Sequence, residues 1–492
     1  MCASCCARSP RCCAAREAED DVSQWAAPLP LPDRAAALGA LRRAAPVLPV
    51  VLLLALVALP AGGPFGAGDG SGGTLADALS AVLVAGCALR LVRGAHRPLS
   101  RLAALVLGLP VAGIALAAAG AAGTTGLTGM VRYLQIFVLV PAAVLLLVRD
   151  ARDFRLVAWS FLGLALWQGA VGVHQYLTGT GASYMGSDVR AVGTFGPNDI
   201  MGMSTVVSYG LVCAVGLALG PGAAAADSPS AASTWEHWRR PLAAGCAVLL
   251  LVPLSLSFSR GAWIATVVAL SVQLLMAGVR RAVRVFAAVA AAGVVLVAGM
   301  GVGSQLLSER VGSIGRVTAA PDQSVTDRYT MWAAALGMWR EQPVTGVGLK
   351  QFPAERDSHA SLALSSGSDV AGAGTDFHRQ ALLSPHNMYL LVLSEQGMLG
   401  LTALAGSWAV LLVRGLRRAA KSRPGKGSSH PGHPDRAPAK DCAFVACGLL
   451  VWQLADFVYA DIGGPSTVLT AVVLGLAAWW ALADRGPREA TR

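Results

Sequence analysis

Apolar runs of helical length recur along most of the chain, near 45–61, 76–92, 102–120, 132–149, 155–174, 199–219, 241–258, 261–279, 283–301, 386–414, 441–459 and 465–483, separated by short polar loops. A helix needs about 20 apolar residues to cross the hydrocarbon of a bilayer, so the pattern predicts about twelve transmembrane helices. Three polar segments interrupt it, at 175–198, 303–385 and 417–440. The stretch 241–279 would measure about 58 Å as one helix, twice the thickness to be crossed. The chain must therefore turn near its middle, in "SLSFSRG" (255–261), where Ser255, Ser257 and Ser259 recur with a period of two that suits broken backbone better than one helix face.

Within 303–385, "TDRYTMWAAALGMWREQPVTGVGLKQF" (326–352) predicts a helix that begins at an N-cap, Thr326 or Asp327, and is stopped by Pro343 and Gly346. Trp332, Leu336 and Trp339 make one apolar stripe with aromatic ends, the pattern of a helix lying on a membrane interface.

Composition strengthens this picture. With 54% hydrophobic and 14% charged residues among 492, the chain is too apolar for a soluble surface, and it reads as an all-α polytopic membrane protein with a large, partly helical extracytoplasmic loop. The net charge of +11 does not point to nucleic acid, because the arginines cluster in short loops that fall on one side of the predicted spans. The positive-inside rule then places both termini in the cytoplasm and 303–385 outside. Lysine occurs only at 350, 421, 426 and 440, an arginine bias that suggests a GC-rich bacterial genome, hence a bacterial cytoplasmic membrane.

The expected organisation is a disordered cytoplasmic tail rich in Cys and Arg (1–44), about nine spans (45–302), the outer loop (303–385), about three spans (386–483) with a cytoplasmic linker at 417–440, and a short cytoplasmic tail (484–492). Five cysteines crowd "MCASCCARSPRCC" without paired spacing or a nearby histidine, so no metal site is expected.

Candidate chemistry sits on the outer side. Arg260 follows the serine-rich turn where few other basic residues lie, either as an anion ligand or as an arginine snorkelling to lipid headgroups. Arg328 heads the 326–341 helix, either beside free backbone N–H groups as an anion pocket or paired with Asp327 or Glu341. His386, in "SPHNMYLLVLSEQGMLG" (384–400), stands at a helix mouth, where it is either a base that titrates near neutrality or a locally bonded helix-end residue. His174, His359 and His378 compete with it as bases. Glu395 lies about 13 Å deeper on the same helix, where a carboxylate must be paired or protonated; it reads as a structural pin. Asp456 reads the same way.

"SLSFSRGAW", "DRYTMWAAALGMWREQPVTGVGLKQF" and "SPHNMYLLVLSEQGMLGL", in this order, resemble the O-antigen ligase and polymerase family over roughly 190–405, with "GTFGPND" (193–199) as a weaker element. The resemblance implies a GT-C-like membrane glycosyltransferase that takes a glycan from a polyprenyl (undecaprenyl) diphosphate carrier at the outer face and passes it to a glycan, lipid or protein acceptor. It implies Arg260 and Arg328 on the diphosphate and His386 as base. Arg190, Asn387 and Glu395 are further candidates for supporting roles.

That chemistry agrees with the residues. A polyprenyl diphosphate is already activated, so no cofactor is expected, and neither a Gly-rich phosphate loop nor an Asp-x-Asp metal motif is present in the sequence. Two arginines can meet charge building on the departing diphosphate, and a neutral imidazole can take the acceptor's proton. The alternative is a transporter or flippase of lipid-linked oligosaccharide, which would favour charges near the midplane and paired broken helices.

Overall fold

The computed structural model describes residues 39, 42–60, 74–94, 99–120, 123–184, 187–220, 234–300, 323–365, 368–371, 377–380, 382–421 and 440–483. The expected tails at 1–44 and 484–492 and the linker at 417–440 fall largely outside them. Met1–Pro46 separates from Val47–Arg492, and the fold below is that of the latter.

Each of the twelve predicted apolar stretches is helical. They form α1 (Leu48–Leu56), α2 (Leu75–Val92), α3 (Arg101–Ala119), α4 (Gly123–Leu134) continued through a π turn into α5 (Val140–Leu147), α6 (Ala151–Thr178), α7 (Gly202–Leu219), α8 (Thr234–Leu256), α9 (Arg260–Ala277) and α10 (Val279–Met300). After the polar segment come α13 (Met388–Lys421), α14 (Lys440–Asp456) and α15 (Thr467–Leu482). Among the described residues, eight helices are long and apolar enough to cross a membrane, and the chain is a polytopic membrane protein whose membrane body is all-α. Apolar side chains face outward as well as inward: Val82, Leu105, Val131, Val248 and Val267 are all exposed, as lipid contact requires.

Local chemistry sets the helix ends. Thr74 and Asp77 form a capping box at the start of α2, Asp150 caps α6, and Gly179, with φ of 68°, ends α6 in a left-handed turn. The turn expected in "SLSFSRG" falls at 257–259. There the Ser257 hydroxyl donates to Leu254 O, and Ser259 is the N-cap of α9, accepting from the Ala262 N–H.

Two features organise the polar segments. Strands β1 (Ala182–Tyr184) and β2 (Ser187–Arg190) from one, and β3 (Ser368–Ala371) and β4 (Phe377–Gln380) from the other, form a four-stranded antiparallel sheet ordered β2-β1-β3-β4. Its strands are short and polar, and pairing across distant parts of the chain, not local apolar alternation, makes them strands.

The second feature is a break in α13 at Gly397, with φ of 64° and ψ of −166°. The loop 343–348 threads the break: Val347 N–H donates to Ser394 O at 2.9 Å, Gly348 N–H to Glu395 O at 3.0 Å, and Met398 N–H to Pro343 O at 2.9 Å. Backbone groups freed by the break thus find partners inside the protein, as buried backbone must. A Cβ on Gly346 would lie 2.4 Å from Glu395 C, and one on Gly397 2.3 Å from Val344 O, so only glycine fits at either place.

The loop follows α11 (Gln323–Glu341) and precedes α12 (Phe352–His359). It clasps α11 to the first half of α13. α11 is already helical at Gln323, ahead of the expected cap, because the Asp327 carboxylate is taken by the Ser365 N–H and hydroxyl and by Gln323. Its fully buried face is Met331, Ala334, Ala335 and Met338. The predicted stripe of Trp332, Leu336 and Trp339 lies beside that face, half-buried.

Candidate active site

Pro385, His386 and Asn387 turn the chain into α13. The Asn387 side chain accepts from the Leu390 N–H at 3.0 Å, so Asn387 is the helix N-cap, and its placement is structural. His386 just before it has φ of 47°, a left-handed conformation rare for a non-glycine residue. The turn after α14 closes on this mouth: Met388 N–H donates to Phe457 O at 2.8 Å and Ala460 O at 3.0 Å.

That same turn carries Asp461. Its carboxylate accepts from the Ser384 hydroxyl at 2.5 Å and faces His386 Nδ1 at 3.9 Å. Asp199, in the 3-10 turn Gly193–Asp199, accepts from the Ser466 N–H at 3.0 Å and steadies the backbone just beyond. From the other side, Trp332 Nε1–H donates to Pro385 O at 2.9 Å, bringing α11 against the histidine. Arg328 lies one turn before Trp332, and its charge acts on His386.

The His386 pKa is lowered from 6.5 by the surrounding protein first and by Arg328 as well, while Asp461 opposes the shift. With 45% of its side chain open, the ring is reachable from outside. The arrangement favours a neutral, accessible imidazole.

Arg260 opens α9, exposed, and among the described residues its guanidinium makes no hydrogen bond or ion pair. It adjoins Gly261, where a Cβ would meet Tyr459 Cβ at 3.3 Å. Arg260 and His386 therefore border the same 457–461 turn. Arg190, at the end of β2, reaches Phe258 O at 3.5 Å, two residues from Arg260. The structure thus gathers Arg190 and Arg260 at the α8–α9 turn, while Arg328 and Asp461 act on His386.

Glu395 is buried deeper. Its carboxylate accepts from Tyr133 OH and Phe352 N–H, each at 3.4 Å, which ties α4, the start of α12 and α13 together. Of the rival histidines, His359 is held by Glu355 O and Ser358 and pairs with Glu341 at 3.2 Å, at the far end of α11. Its pKa is raised, by the Glu355 carbonyl first and also by Glu341. His174 is exposed near the end of α6, and the His378 side chain lies outside the described residues. A cavity of about 280 Å³, lined by Met276, Ala420, Lys440 and Phe444, lies at the opposite ends of α9, α13 and α14, away from this site.

Sequence reading missed Asp461 and the tie made by Trp332. The signal available for Asp461 was an acid in "DIGGP" between two spans; nothing local linked it to a histidine 75 residues earlier.

Fold and site together define a multi-pass membrane protein in which Arg328 and Asp461 act on His386 and Arg190 and Arg260 flank the α8–α9 turn. Residues 245–405 match the family model described as O-antigen ligase, and the matched segment includes Arg260, Arg328 and His386. Arg190 and Asp461 lie outside the matched segment. No curated protein matches the chain.

Proposed function

We propose that the protein is a membrane glycosyltransferase that moves a glycan from a polyprenyl diphosphate carrier to an acceptor hydroxyl at the outer face of a bacterial cytoplasmic membrane. The observation that carries this reading is His386, a partly open ring whose Nδ1 stands 3.9 Å from the Asp461 carboxylate and which feels the Arg328 charge.

Nδ1 faces Asp461, which leaves Nε2 for the acceptor. As the acceptor oxygen bonds to the anomeric carbon, its proton passes to Nε2. The bond from that carbon to the phosphate oxygen breaks with its electron pair, and polyprenyl diphosphate departs. Displacement from the opposite face inverts the anomeric centre. Arg260, whose guanidinium makes no hydrogen bond or ion pair among the described residues and which opens a helix, and Arg328 meet the charge on the diphosphate. Arg190 extends the cationic surface beside Arg260. The site belongs to the outer face because the arginine clusters at 90–101, 149–155, 279–284 and 413–426 all adjoin the other ends of the helices, as cytoplasmic loops do.

Transport is the weaker reading. A broken helix is a carrier's device, but the break in α13 is filled by the 343–348 backbone. Incubating purified protein with a polyprenyl-diphosphate oligosaccharide and an acceptor glycan tests the reading: free polyprenyl diphosphate and transferred glycan must appear together. Movement of intact donor across a vesicle without either product would replace it with transport.

A further inference from the structure

We propose that Trp332 is a positioning residue for the base: its indole N–H, by holding the Pro385 carbonyl, keeps the His386 ring against Arg328 and Asp461. The proposal rests on the glycosyl transfer above.

His386 sits in a left-handed conformation that an L-residue adopts only when its surroundings enforce it. Three ties do so from the C-terminal side and from the turn after α14: the Asn387 cap, the Met388 N–H bonds to Phe457 O and Ala460 O, and the Ser384 bond to Asp461. None of them reaches α11, where Arg328 resides. The Trp332 bond at 2.9 Å is the direct tie from α11 to the residue preceding His386. It lies one helical turn from Arg328, so it fixes the distance between the guanidinium and the imidazole. Tyr329 packs edge-on against the Trp332 ring at 5.7 Å and limits the indole's freedom.

Trp332→Phe keeps the ring and removes the donor. Trp339→Phe, seven residues on, is the control, since the Trp339 indole N–H has no hydrogen-bond partner among the described residues. A reacting group displaced by about 1 Å can cost on the order of 100-fold. Trp332→Phe should therefore lower kcat about 10- to 100-fold with donor KM changed less than about threefold. A looser, better hydrated ring loses part of its depression, so the acid limb of kcat against pH should move upward in Trp332→Phe and stay in place in Trp339→Phe. Unchanged kcat, a loss confined to KM, or equal loss in both variants overturns the proposal.

If the wild-type protein transfers no glycan, the functional reading has failed, and the tie is still tested by carbethoxylation of His386 with diethyl pyrocarbonate at pH 8, followed by peptide mass spectrometry. The imidazole is neutral there in both proteins, so the rate reports access alone. Faster modification in Trp332→Phe than in wild type supports the tie, and equal rates overturn it.

Discussion

His386 Nδ1 stands 3.9 Å from Asp461 Oδ2, although the two residues belong to different polar turns and only one of them lies in the O-antigen ligase match. The separation exceeds a direct hydrogen bond, so Asp461 acts on the ring through its charge and through Ser384, which it holds one residue before Pro385.

The first prediction concerns pH. The base works as neutral imidazole, so activity rises with pH as His386 loses its proton, at a pKa held below 6.5. Arg328 contributes to that depression, and Arg328→Gln should shift the acid limb to higher pH. Asp461 opposes it, and Asp461→Asn should shift the limb to lower pH. Profiles of kcat against pH for the two variants check this; shifts of the same sign would contradict it.

Among the described residues, the Arg260 guanidinium makes no hydrogen bond or ion pair, so its truncation removes none. Arg260→Ala should leave detergent thermostability within about 0.5 kcal/mol of wild type while weakening donor use, seen as a lower kcat/KM of at least tenfold. Arg260→Lys should recover part of it, since an ammonium keeps the charge and loses the fork. Equal turnover in all three proteins would remove Arg260 from the site.

Gly397 carries the break in α13. Gly397→Ala forces a Cβ to within 2.3 Å of Val344 O at φ of 64°, and should destabilise the protein by roughly 2 kcal/mol or more. Gly86→Ala in α2, where nothing lies within 4 Å, should cost no stability. Thermal unfolding in detergent separates the two, and a harmless Gly397→Ala would mean that the loop does not thread the break.

The membrane body was legible in the sequence because spanning the bilayer imposes a long apolar run on every helix, whatever packs beside it. The α8–α9 turn was legible from length alone, and the motifs around Arg260, Arg328 and His386 marked those three as candidates. What was not legible depends on contacts between distant segments. The helix of Arg328 began earlier than its local cap signal because Ser365 takes the Asp327 carboxylate. Trp332 looked like part of a membrane-facing stripe until its N–H was seen on Pro385. The sheet required two loops to meet, and Asp461 required the turn after α14 to fold back on the head of α13.

Sidedness has its own check. The Asp357 side chain is 75% exposed on α12. In a variant stripped of its native cysteines, Asp357→Cys should react with a membrane-impermeant maleimide on intact cells, and Arg417→Cys, at the other end of α13, only after lysis. The reverse pattern would place the site in the cytosol.

The most direct measurement of the central claim is the rate at which His386→Ala releases polyprenyl diphosphate from saturating donor, in the presence of acceptor, relative to wild type. Loss of a general base predicts a fall of about 10²- to 10⁴-fold with donor binding retained. Turnover at the wild-type rate would show that the proton goes elsewhere and that His386 is not the base.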